Sequence, residues 1–236
     1  MGRVKHAGWL LAGVVACAGC GSQQQDSLPG FGPAVTPAPV SAPAVTDSAA
    51  LQARLLTAAD LPPGYTRLDD AAPGNGPQQP ADRSRTDPAS CAKVLAPVGD
   101  QASGASARGA VHYSTPDFAG IDIDIASYPN GGAAQAFSTV QNLVRQCGKY
   151  SGTDADGTAM DYRTGGLDQP KAGDASTSFQ VHTTSEGVTL YTAATVVLVG
   201  SSVVQIAESA PTPIDPATLR DLTAKQVMRL QGVLGP

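Results

Sequence analysis

The sequence predicts an α+β fold: an antiparallel β-sheet packed with amphipathic helices and closed by one disulfide. Three observations predict it. Strand signals come in runs joined by short polar connections, and helix signals sit apart from them, which argues against a parallel βαβ array. The segment IDIDI at 121–125 alternates apolar with acidic residues, whereas residues 133–147 repeat apolar side chains at i, i+3, i+4 and i+7. Cys91 and Cys147 form an even pair once the N-terminal stretch is taken off.

That stretch reads as an export signal over residues 1–19. Arg3 and Lys5 give a positive start, and the apolar run Ala7 to Ala16 is too short to span a bilayer, which takes about 20 residues. Two cysteine-ended sites close it, Val14-Val15-Ala16-Cys17 and Cys17-Ala18-Gly19-Cys20. Both resemble the lipobox of bacterial lipoproteins, a family in which a diacylglycerol is attached to the cysteine and a peptidase cuts just before it. The first site has the more usual opening residue. Cutting before Cys20, however, leaves Cys91 and Cys147 as an even number for an oxidising compartment, while cutting before Cys17 strands Cys20 as an odd thiol. Cys20 is therefore the expected lipidated residue, which places the protein on the outer face of the cell membrane. A plain secreted protein cut after small residues is the alternative.

Loss of Arg3 and Lys5 takes fifteen basic residues to thirteen against twenty acidic ones, and the formal charge from −5 to −7. Such a surface excludes nucleic acid as an expected partner, because backbone phosphates demand clustered Lys and Arg. Residues 20–47 begin with the lipidated cysteine and continue as a Pro- and Ala-rich tether with Pro29, Pro33, Pro37, Pro39 and Pro43. Few large apolar side chains offset the entropy of ordering, so this segment is expected to be extended and disordered.

One domain follows over 48–236, long enough for a single hydrophobic core. Asp47 or Ser48 caps a short helix with Leu51, Leu55 and Leu56 on one face, ended by the turn Leu61-Pro62-Pro63-Gly64. Residues 69–86 read as loop. Asp87-Pro88 then pairs a cap with a first-turn proline, opening a short helix that carries Cys91, Val94 and Leu95. Strands are expected at 108–115 and 120–128, with Asp122 and Asp124 on a solvent-facing side as edge chemistry. After Asn130-Gly131-Gly132 comes the clearest helix, with Cys147 on its buried face at the end and Gly148 as terminator. Asp154-Ala155-Asp156-Gly157 is a plain turn, since Thr158 and Gly165 occupy the positions where a calcium loop needs acidic ligands. Three strands at 176–184, 188–199 and 202–208 form a meander; Val196-Val197-Leu198-Val199 is apolar on both faces, so that strand is central. Asp215-Pro216 opens a last helix with Leu219, Leu222, Val227, Leu230 and Leu234 on one stripe.

In an exported chain, Cys91 and Cys147 on the inner faces of two helices read as a structural disulfide. Neither His112 nor His182 stands at metal-ligand spacing from a cysteine, so no metal or cofactor is expected. The sequence has no G-x-S-x-G elbow, H-E-x-x-H pair, P-loop or Gly-rich dinucleotide loop, and the protein is read as a non-enzyme.

The succession of DPASCAKV, alternating strands, AFSTVQNLVRQC, the apolar hairpin VTLYTAATVVLVGSSVVQIAES and a closing amphipathic helix resembles the PknH-like sensor domain over roughly residues 50 to 235. That family comprises the extracellular domain of certain mycobacterial receptor Ser/Thr kinases and stand-alone actinobacterial lipoproteins. The resemblance implies a mixed α/β domain whose cleft receives an unidentified ligand, with Cys91 and Cys147 as the helix-linking bridge. Family members often carry a second cysteine pair, which this chain lacks.

The expected function is thus a membrane-anchored lipoprotein that binds a small molecule, a lipid, a cell-wall fragment or an envelope protein without catalysis. A hydrolase with a non-standard site and a structural envelope protein are the alternatives. By alternation His112, Gln180, His182 and Thr184 fall on polar strand faces; if the two strands share a face, these groups line the ligand cleft.

Overall fold

The computed structural model describes residues 27–68 and 83–233. The export signal, Cys17 and Cys20, most of the 69–86 loop and Leu234 lie outside the described residues.

The elements in chain order are α1 (Ser48–Gln52), β1 (Thr66–Arg67), β2 (Arg85–Asp87), α2 (Val98–Gln101), β3 (Ala107–Ser114), β4 (Gly120–Ser127), α3 (Gly132–Gln146), β5 (Lys149–Thr153), β6 (Ala159–Gly166), β7 (Ala175–Ser185), β8 (Val188–Val199), β9 (Ser202–Ala210) and α4 (Pro216–Leu230). All described strand pairs are antiparallel, in one nine-stranded sheet of order β1-β3-β4-β9-β8-β7-β6-β5-β2. β8 sits in the middle. Its alternation sends Val196 and Leu198 to one face, against Phe137, Val140 and Val144 of α3, and Val197 to the other, against Leu219 and Leu222 of α4 and the Leu51, Leu55 and Leu56 group. A strand apolar on both faces thus anchors two cores.

Short signals behaved differently from long ones. Asp47 caps α1 by accepting from the Ala49 amide, and Asp215 caps α4 by accepting from Ala217. Asp87, expected as a cap, is instead the last residue of β2, paired with Ser151, and Pro88 precedes a 3-10 helix over Ala89–Lys93. Cys91 and Val94 are buried, while Leu95, just past the end of the 3-10 helix, is 37 % exposed. Cys91 is bonded to Cys147, the C-cap of α3, with a Cα–Cα distance of 5.7 Å.

Residues 27–47, expected as a disordered tether, lie along the domain instead. Phe31, Val35 and Val40 pack on the α3-side core and Val45 on the other. An extended proline-rich strand cannot bond to itself, so side chains of the domain bond its backbone. Gln141 accepts from the Val35 amide at 2.8 Å and donates to the Val35 carbonyl at 3.0 Å. Ser127 Oγ accepts from Val45 N, while Ser106 Oγ and Ser201 Oγ donate to the carbonyls of Val45 and Pro43. Gly165 and Gly166 leave the room this needs: a Cβ on Gly166 would stand 2.6 Å from the Gly30 carbonyl oxygen.

On the outer side of β3, the α1 residue Gln52 bonds Ala110 twice, accepting from its amide at 2.8 Å and donating to its carbonyl at 2.6 Å, and Ser48 Oγ accepts from Arg108 N. Side chains here stand in for a missing neighbouring strand.

Candidate functional site

The four residues expected to line one cleft are divided by the sheet. Cross-strand pairing carries His112 to Asp122, then Ala207, Ala194 and Phe179, the row facing α3. Gln180 pairs with Ala193 and His182 with Tyr191, one residue out of phase and therefore on the opposite face. β4, β9 and β8 also intervene, which sets β3 and β7 about 19 Å apart at ~4.8 Å per strand, and His182 lies three residues along β7 from the row of His112.

Each has local work. His112 Nδ1 lies 2.7 Å from Asp122 Oδ1, with the two side chains 37 % and 50 % exposed. His182 stands edge-on to Tyr191 at 4.7 Å between ring centroids. Gln180 donates to the Gly166 carbonyl, and Thr184 shares a hydroxyl–hydroxyl bond with Thr189 across the hairpin. A histidine does meet an acid, as a hydrolase requires, but on an open strand surface outside the clefts described below.

Asp124 is not edge chemistry. β4 lies inside the sheet, α2 covers this part of it, and Asp124 is only 6 % exposed. Its Oδ1 accepts from Val98 N at 2.5 Å and its Oδ2 from Gln205 Nε2 at 3.2 Å. Gln205 Oε1 in turn accepts from Gln101 Nε2 at 3.0 Å, and Gln101 Nε2 also donates to the Ala96 carbonyl at 2.5 Å. Gln101 Oε1 is left buried without a partner. Burial pushes the Asp124 carboxyl up to about 7, against the pull of the Val98 and Gln205 hydrogen bonds. Glu208, on the other face, is raised to about 7 by burial and by Asp215.

Among the described residues, clefts open around this frame. One of about 390 Å³ lies between α2 with its following loop and the start of α3, lined by Gln101, Ser103, Tyr128, Gln135 and Thr139. A second, about 360 Å³, lies under the N-terminal segment. There Arg145 of α3 donates to the Gly32 carbonyl and sits 5.4 Å above the Phe31 ring, with Asp168 and Gln169 also lining the space. A third, about 180 Å³, adjoins Cys91 and the stacked rings of Tyr150 and Tyr162. Among the described residues no group of three or more His, Cys, Asp or Glu is placed to hold a metal ion. None of their helices is long and apolar enough to cross a membrane.

Sequence reasoning missed Arg145, Gln101 and the buried position of Asp124. Arg145 lies on the flank of α3, and only the docked N-terminal segment makes that flank a cleft wall. The available signal for Asp124 was the neighbouring strand VVQIAE, where alternation places Gln205 with the buried Val203 and Ala207; a polar side chain on such a face needs a polar partner.

The fold has a counterpart among solved structures. It is similar to the crystal structure of the extracellular domain of PknH from Mycobacterium tuberculosis, at a TM-score of 0.57 and 13 % identity, covering 81 % of this chain and 100 % of that one. The X-ray structure of the Rv0999 ortholog from Mycobacterium smegmatis also matches, at a TM-score of 0.38 and 13 % identity over 80 % of this chain and 97 % of that one. No family model and no curated protein matches the sequence.

Proposed function

We propose that the protein is an exported lipoprotein, anchored by acyl chains on Cys20 at the outer face of the cell membrane, whose α+β domain binds a ligand or envelope partner and performs no chemistry. The anchor reading is supported by the short Cys-terminated apolar run and the even cysteine pair left after processing. An outward-facing domain is in keeping with the Cys91–Cys147 disulfide and with the extracellular neighbour.

The observation that carries the binding reading is the contrast between the clefts and the His112–Asp122 pair. The clefts are lined mainly by amides, hydroxyls and aromatic rings, with Arg145 and Asp168 in one and Arg85 in another, and the His112–Asp122 pair lies outside them. Recognition chemistry is concentrated where a ligand can enter, and the histidine–acid pair is not. Native mass spectrometry of the protein purified from its membranes tests this: a bound molecule of constant mass, released on denaturation, is expected, and uniformly empty protein overturns the reading.

A further inference from the structure

The cleft under the N-terminal segment holds two opposite charges that do not meet. Arg145, on α3, spends one N–H on the Gly32 carbonyl and lies over the Phe31 ring, which fixes its guanidinium in the cleft wall without neutralising it. Asp168, in the loop after β6, is exposed and lines the same cleft. Among the described residues neither forms an ion pair, with the other or with a third group. The loop that carries Asp168 is fastened at two points: Ala172 N donates to Ser176 Oγ, and Gln169 Nε2 donates to the Pro216 carbonyl.

An unpaired strand edge lines the cleft beside these charges. β6 pairs with β7 only as far as Gly166 and Phe179, and one further bond runs from Leu167 N to the Ser178 carbonyl. In an antiparallel strand, residues two apart turn their amide and carbonyl to the same side. Ser176 therefore presents its N–H and C=O on the side that β6 has left, where no described strand pairs with it. Ser176 is also a lining residue of the cleft.

These features select a ligand by chemistry. A ligand with a single charge would satisfy one of Arg145 and Asp168 and be repelled by the other, and a neutral one would take water from both and return nothing. A molecule with an anionic end, a cationic end and amides between them answers the fork of Arg145, the carboxylate of Asp168 and the open edge at Ser176 together. Resting on the reading of the domain as a binding module, we propose that this cleft binds a short peptide with free ends, its carboxylate on Arg145, its ammonium on Asp168 and its extended backbone along Ser176. The volume of about 360 Å³ is within the range of small-molecule sites.

Saturation-transfer difference NMR titrations on the full chain at pH 6.5, where both ends of a free peptide are charged, test it. The probes are trialanine, N-acetyl-trialanine, which has no ammonium, and trialanine amide, which has no carboxylate. Trialanine is expected to bind about fivefold more tightly than either capped form, the effect of one charge-assisted hydrogen bond at an open site. Asp168 has no ion-pair partner to lose, so Asp168→Asn keeps the circular dichroism spectrum; it weakens trialanine by the same factor and leaves N-acetyl-trialanine unchanged. Equal binding of the three probes, silence of all three, or an Asp168→Asn variant that changes trialanine no more than N-acetyl-trialanine overturns the proposal. If the probes are silent while a native ligand co-purifies, the peptide assignment falls and the binding module stands; if nothing co-purifies either, both fall.

Discussion

Gln205 Nε2 donates to Asp124 Oδ2 at 3.2 Å from the neighbouring strand, inside the sheet and beneath α2. Burial still outweighs this bond and holds the folded carboxyl near 7, above its unfolded value near 4. The sign follows from that order. Stability from the neutral form is fully present below pH 4 and is lost as pH rises through 7, and Glu208 acts in the same direction. Asp60 has the opposite sign: despite burial, Thr57 and Arg229 hold it below the usual carboxylate range, so its contribution is lost only under stronger acid. Urea unfolding should therefore show greatest stability near pH 4–5 and a decline toward pH 8. Asp124→Asn should flatten that decline, gaining on the order of 2–4 kcal/mol at pH 8 and little at pH 5. Wild-type stability that climbs from pH 5 to 8 contradicts the assignment.

The Cys91–Cys147 bridge closes a loop with a sequence separation of 56. On the chain-entropy model this contributes about 4 kcal/mol, which in a domain of this size corresponds to a Tm lower by roughly 10 °C in Cys91→Ser. Peptide mapping without reductant should recover the two half-cystines joined. Free thiols that alkylate in the native protein would count against it.

Docking of residues 27–47 depends on Gln141 and on the absence of a side chain at Gly166. Gly166→Val should lift the segment locally, and Gln141→Leu should free it at Val35. Amides of residues 30–40 are expected to exchange with deuterium at least tenfold faster in either variant, while the core of β8 stays protected. Unchanged exchange in both would mean the segment is held elsewhere.

The anchor reading has its own test. Cys20→Ala should move the protein from the membrane fraction to the medium or leave it unprocessed, with a changed N-terminal mass. Membrane association and N-terminal mass identical to wild type would transfer the anchor to Cys17 or remove it.

Long, strongly periodic elements were legible in the sequence. α3 and α4, the β7–β8–β9 meander and the central place of β8 all follow from spacing that repeats over many residues. β5 and β6 were not, because KYSGT and AMDYRTGG carry few apolar positions at the sheet's polar margin, where partners rather than side chains define the strand. The candidate site was legible only in its inventory. Alternation puts His112 and His182 on polar faces, but which faces coincide depends on three intervening strands and their register, and no local pattern encodes that. The N-terminal segment misled for a related reason: its own composition cannot stabilise order, and the order comes from Gln141, Ser127 and Ser106, more than 60 residues away in each case.

The amide of Gln52, bonded both ways to Ala110, has a consequence for how copies of this protein live side by side. On the anchor reading proposed above, copies are held on a two-dimensional surface, where they meet one another far more often than in dilute solution, and an open strand margin is a template for runaway stacking. At one margin of this sheet the hydrogen-bonding positions of Ala110 are already spent on a side chain; at the other, β2 is three residues long and stops at a proline. Crowding can then raise local concentration without nucleating fibres, and Gln52→Ala would free only the Ala110 positions, because Ser48 and Leu68 still bond Arg108 and His112 on either side.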